Sequence, residues 1–129
     1  EGARCIYCEK EFVQVLPRLL VMVYAKQCGT KVSINDEKTI GILLDVLLPE
    51  VNLAFTFPSR ETDRGAKVIE VMQYMCAARK IQLIEVRKKE PIELAHEIKQ
   101  AFAKAHLYID SDSEKEIDYL RKWYFHQTV

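Results

Sequence analysis

Two apolar runs rich in branched residues, Thr39–Leu48 and Val51–Phe57, are separated only by Pro49-Glu50, and they constrain this chain more than any other feature. A connection that short joins antiparallel neighbours, so the pair predicts a β-hairpin. One charged residue interrupts the first run: Asp45, in Ile40-Gly41-Ile42-Leu43-Leu44-Asp45-Val46-Leu47-Leu48. An ionised carboxylate in such surroundings is costly unless it is solvated, paired or bound to a cation. Asp45 therefore reads either as a metal-binding or catalytic group, or as a sheet-edge residue that faces water or bonds to neighbouring backbone.

The flanking segments alternate between the two secondary-structure periods. From Glu11 to Gln27, Phe12, Val15, Leu16, Leu19, Leu20 and Val23 recur at helical spacing. Pro17 either opens this helix or kinks one begun earlier, and Gly29 suits the left-handed position that ends it. A short strand is expected at Lys31–Ile34, with Asn35-Asp36-Glu37 as the turn. Asp63–Lys80 predicts a second helix with Val68, Val71, Met72, Met75 and Ala78 on one face. Ile81–Val86 is nearly all apolar, as in a strand buried on both faces. Pro91 starts a third helix, whose stripe is Leu94, Ala95, Ile98, Ala101, Phe102 and Ala105. Leu107–Asp110 is expected as a last strand. Ser113, with Glu116 three residues on, forms a capping box for a final helix carrying Ile117, Leu120, Tyr124 and Trp123. The order αβββαβαβα predicts an α/β domain in which helices flank a mixed sheet.

Composition decides less. The chain has 129 residues and is 49% hydrophobic and 29% charged, which excludes a disordered or collagen-like polypeptide. Nineteen basic residues balance 19 acidic ones, so the whole-domain basic signature of a strong nucleic-acid binder is missing. Neither Leu16–Ala25 nor Ile40–Leu48 is long or continuous enough to span a bilayer, and no secretory signal opens the chain. It begins with Glu1 instead of Met, which reads as a piece of a longer polypeptide. Cys5 and Cys8 have the spacing of a zinc knuckle, whereas Cys28 and Cys76 lie far apart. Residues 1–10 are thus a candidate partial Zn²⁺ site or the tail of an upstream region, with one domain over 11–129. Reduced thiols in a cytoplasmic protein are the favoured reading of all four cysteines.

The run Leu44-Asp45-Val46-Leu47-Leu48-Pro49-Glu50-Val51-Asn52-Leu53-Ala54-Phe55-Thr56-Phe57 resembles the hairpin of the PD-(D/E)XK nuclease superfamily. It is nearest the branch related to very-short-patch repair endonucleases. Lys67 and the stretch Cys76-Ala-Ala-Arg-Lys-Ile-Gln-Leu-Ile-Glu-Val86 resemble that branch's helix and following strand, and a Cys-x-x-Cys knuckle precedes the core in some relatives. The resemblance covers roughly residues 11–105 and implies a restriction-endonuclease-like fold. It also implies a Mg²⁺ site in which acidic residues from adjacent strands hold the cation that activates water. Asp45 matches the first acid. Thr56 stands where the second is expected, and Phe57-Pro58-Ser59 supplies no lysine. Glu70 is the leading migrated ligand, with Lys67 beside it on the same helix; Glu50 and Glu61 are weaker ones.

The favoured expectation is a nuclease-like domain that has lost catalysis and serves DNA binding or a DNA-processing assembly, with other domains of a parent protein as further partners. The alternatives are an active endonuclease built on Asp45, Glu70 and Lys67, and a protein-interaction scaffold. Arg79, Lys80, Arg87 and Lys88, joined by Lys89, bracket the expected strand Ile81–Val86 and are the candidate phosphate contacts. His96, His106 and His126 fit no compact metal motif. Trp123-Tyr124-Phe125 is better explained by helix packing than by base stacking, and Asp110-Ser111-Asp112-Ser113 by a helix cap than by a metal loop.

Overall fold

The computed structural model describes residues 6–58 and 66–128. Its elements are α1 (Ile6–Cys28), β1 (Ser33–Asp36), β2 (Leu44–Leu48), β3 (Leu53–Thr56), α2 (Ala66–Ala78), β4 (Gln82–Glu85), α3 (Pro91–Lys104) and α4 (Ser113–Thr128). The strands form a four-stranded mixed sheet in the order β1-β2-β3-β4. β1–β2 and β2–β3 are antiparallel; β3 and β4 are parallel, with α2 as the crossover between them. The hairpin forms as expected, with Leu48 paired to Leu53 and Val46 to Phe55. Asn52, at a left-handed φ of 54°, closes its four-residue loop Pro49–Asn52.

Period-two alternation assigns the strand residues to two cores, except that Leu44, at the start of β2, joins the smaller one. Val46, Leu48, Leu53 and Phe55 belong to a large cluster with α1 (Phe12, Leu16, Leu20, Tyr24), α3 (Leu94, Ile98, Phe102) and α4 (Ile117, Leu120). Leu47 and Ala54 belong to a smaller one with Ile69, Met72 and Cys76 of α2. Three helices thus cover one face of the sheet and one helix covers the other. Phe102 joins the layers of the larger core, its ring centre 5.9 Å from that of Tyr24 and 5.8 Å from that of Phe55.

Helix ends follow from local chemistry. Glu90 caps α3, its carboxylate accepting from the Glu93 amide at 2.9 Å, with Pro91 opening the helix. Each of α1, α2 and α3 ends in a Schellman motif. Thr30, Ile81 and Leu107 donate to the carbonyls of Ala25, Cys76 and Phe102, and the residues before them are left-handed. Gly29 serves α1 in that role as expected. Lys80 and His106, with φ of 60° and 64°, hold the same position without glycine's freedom.

Several expectations need correction. α1 starts at Ile6, five residues before the expected Glu11, and leaves Pro17 inside the helix, where the Val13 carbonyl loses its usual donor. β1 lies two residues later than expected, although Asp36 still opens the turn by accepting from the Thr39 amide. α2 buries Ile69, Met72 and Cys76, leaving Val68 and Val71 of the expected stripe 39% and 46% exposed. β4 is an edge strand and is only partly covered, not buried on both faces. Leu107–Asp110 joins no sheet ladder, so the order is αβββαβαα. α4 is capped by Asp112, which accepts from the Glu114 and Lys115 amides, and not by Ser113.

Candidate functional site

Asp45 is the second residue of β2 and only 6% exposed. Two residues on, Leu47 pairs with Ala54 in the smaller core, so Asp45 and Thr56 share the face of the sheet that α2 covers. Thr56 in turn sits beside Glu85 in the parallel register of β3 and β4. Asp45, Thr56 and Glu85 therefore form a row across three strands.

Both oxygens of the Asp45 carboxylate are engaged. Oδ1 accepts from the Arg18 guanidinium at 2.5 Å. Oδ2 accepts from the Phe57 amide at 2.8 Å and the Thr56 hydroxyl at 3.2 Å. Arg18 comes from α1, which packs on the other face, and meets Asp45 where β2 begins and β3 runs out into Phe57. Its guanidinium carbon stands 5.7 Å from the centre of the Phe57 ring, within cation–π range. A full charge, a hydroxyl and an amide thus compensate the buried carboxylate, with no cation required for its burial. Next in the row, Glu85 forms an ion pair with Arg87.

The other expected ligands do not join this set. Lys67 and Glu70 stand exposed on α2 and make no hydrogen bond to Asp45. Glu50 lies beyond the far end of β2, where it accepts from the Thr30 hydroxyl and the Lys31 amide. Glu61 is outside the described residues. Among the described residues no group of three or more His, Cys, Asp and Glu side chains gathers to hold a metal ion. Cys5 also falls outside them, and Cys8 lies within the first turn of α1. Cys28 and Cys76 are free thiols, and burial raises the pKa of both. His96, His106 and His126 are exposed on three separate segments.

The candidate phosphate contacts are also separated. Arg79 and Lys80 precede β4 while Arg87, Lys88 and Lys89 follow it, all of them exposed. The strand between them spans about 13 Å, so they form a basic group at each end of the sheet edge instead of one patch.

Sequence reasoning missed Arg18 and Glu85. Arg18 lies among the apolar positions Leu16, Leu19 and Leu20, and a charge that interrupts such a stripe is the signal that could have paired it with the charge interrupting β2. Glu85 becomes visible only once the parallel register is known. No helix of the described residues is long and apolar enough to cross a membrane. Comparison with protein-family models, curated proteins and solved structures finds no match.

Proposed function

We propose that the chain is a nuclease-like α/β module of the restriction-endonuclease type that has given up catalysis and serves DNA binding or a DNA-processing assembly. The observation that carries this reading is the engagement of Asp45. The one carboxylate that matches the nuclease pattern is neutralised by Arg18 and tied to Thr56 and Phe57, and Thr56 occupies the second acid's place. A hydroxyl brings no charge to a Mg²⁺ ion, which takes its protein ligands mainly from carboxylates. The core order αβββαβ, the hairpin and the crossover helix agree with the resemblance in the sequence. DNA contact falls to the basic groups Arg79-Lys80 and Arg87-Lys88, and any Zn²⁺ to Cys5 and Cys8 with ligands from elsewhere.

The test pairs two titrations of the wild type. Mg²⁺ and Mn²⁺ calorimetry is expected to give no stoichiometric binding. Fluorescence anisotropy with a labelled duplex is expected to give binding that weakens steeply with salt and with Arg79→Glu and Arg87→Glu. Metal binding abolished in Asp45→Ala, with cleavage of the duplex, would instead restore the active endonuclease with Mg²⁺ at Asp45. Absence of both metal and DNA binding would favour a protein-interaction scaffold. The exposed Val68, Val71 and Tyr74 of α2, the last 76% exposed, are the observation on that side.

A further inference from the structure

The two edges of the sheet differ. β1 forms one of them, and its third residue, Asn35, has a left-handed φ of 53° that breaks the extended geometry a neighbouring strand would need. β4 forms the other, and no residue from Ile81 to Val86 has a positive φ. The Gln82 and Val86 amides donate to the carbonyls of Asn52 and Thr56. Alternate residues of a parallel strand bond to the same side, so the amides and carbonyls of Leu83 and Glu85 point away from β3, along the open edge.

The side chains of this edge set what can lie beside it. Leu83 packs against the smaller core and Ile84 against the larger one, and both are half-buried. A strand added here therefore meets an apolar neighbour on each face of the sheet. Arg79 and Lys80 precede β4, and Arg87, Lys88 and Lys89 follow it, all exposed; among them Arg87 is paired with Glu85. A second copy of the chain does not fit. Antiparallel pairing of two β4 edges sets Arg87 and Lys88 of one copy against Lys80 and Arg79 of the other, and parallel pairing sets each basic group against its counterpart. Both arrangements put like charges side by side, whereas an acidic strand is attracted at both ends.

We propose that the open edge of β4 binds an extended peptide segment as a fifth strand of the sheet, and that this segment is apolar over about four residues, the length of β4, and acidic on both flanks. The main-chain groups of Leu83 and Glu85 hold it, the side chains of Leu83 and Ile84 select an apolar middle, and the basic groups at the two ends select its flanks. The site is built on the β4 backbone, so it stands apart from the nuclease reading.

The test titrates the intact chain with a blocked synthetic peptide in which a short run of valines lies between paired aspartates. Amide exchange followed by NMR should show Leu83 and Glu85 becoming protected on binding, while Gln82 and Val86, already bonded, change little. Methylating alternate peptide nitrogens in one phase should weaken binding at least about tenfold, and in the other phase by no more than about twofold, because a strand turns every second amide towards its neighbour. Lysine flanks in place of aspartate should weaken it similarly, and the double variant Lys80→Glu, Arg87→Glu should reverse that preference. Failure of the aspartate-flanked peptide to bind would overturn the proposal. So would binding that is indifferent to both methylation phases, or that leaves Leu83 and Glu85 unprotected at saturation, since either marks a purely electrostatic contact.

Discussion

Among the described residues Arg18 supplies the full positive charge that touches Asp45, and the cost of Arg18→Ala can be worked from the contacts. A guanidinium and a carboxylate whose charge centres lie about 4 Å apart interact by about 4 kcal/mol at the effective dielectric of a protein surface. The Arg18 side chain is 35% exposed, so solvent screens part of that. The carboxylate also keeps its bonds to Thr56 and Phe57 when the arginine is gone. A loss of about 1–3 kcal/mol remains, below the penalty for breaking a fully buried pair. For a chain of this length that lowers Tm by about 3–12 °C. The assay is urea unfolding followed by circular dichroism, on wild type, Arg18→Ala, Asp45→Asn and the double variant. The Asp45→Asn background, with no buried charge to compensate, should reduce the effect of Arg18→Ala by at least about 1 kcal/mol. Raising salt should narrow the difference only slightly, because Asp45 is shielded from ions. An Arg18→Ala variant within about 0.5 kcal/mol of wild type, additive with Asp45→Asn, would refute the assignment of Arg18 as the counter-charge.

Further outcomes follow from other contacts. Lys80→Gly and His106→Gly should each stabilise the fold by about 0.5–1 kcal/mol, since both residues occupy left-handed positions that glycine adopts without strain; urea midpoints measure this. Burial alone would raise the pKa of Asp36, but bonds from Thr39, Ser33 and the Lys38 amide outweigh it and the net shift is downward. Asp36 therefore contributes stability above its ordinary value of 3.8 that is lost as pH falls below it. Asp36→Asn should flatten that acid limb in pH-dependent melts while sparing the profile near neutrality. Phe102→Ala, which removes the ring between Tyr24 and Phe55, should cost about 3–5 kcal/mol by chemical denaturation.

Where apolar periodicity was the only information needed, the sequence was legible. Phe12, Leu16 and Leu20, the Leu48–Leu53 turn and the Leu94–Phe102 stripe each follow from a local pattern, and each stands where expected. The failures came where a neighbour distant in sequence decides the outcome. Val68 and Val71 fit a helical stripe as well as Ile69 does, and only the position of the sheet selects which side of α2 is covered. Ile81–Val86 is apolar enough for a central strand, yet β4 is the last of its row because Leu107–Asp110 does not pair beside it. At the candidate site Asp45 and Thr56 were legible as an acid kept and an acid lost. Arg18, 27 residues from Asp45 in sequence, was not, because an ion pair leaves no periodicity. Asp112 caps α4 in place of Ser113, whose hydroxyl accepts from Lys99.

The unequal covering of the two sheet faces has a consequence for how the molecule breathes. α1, α3 and α4 brace one another as well as the sheet, with Arg121 of α4 paired to Glu9 and resting on Phe12 of α1. Among the described residues α2 is the one helix on its side, and it packs chiefly against β4 and the small cluster beneath it. Opening of α2 therefore exposes less apolar surface than opening α3 and leaves the three-helix side intact, whereas opening α3 dismantles the main core. Amide protons of α2 should exchange with deuterium well before those of α3, through a partly open form in which the row Asp45–Thr56–Glu85 meets water while the rest of the fold persists.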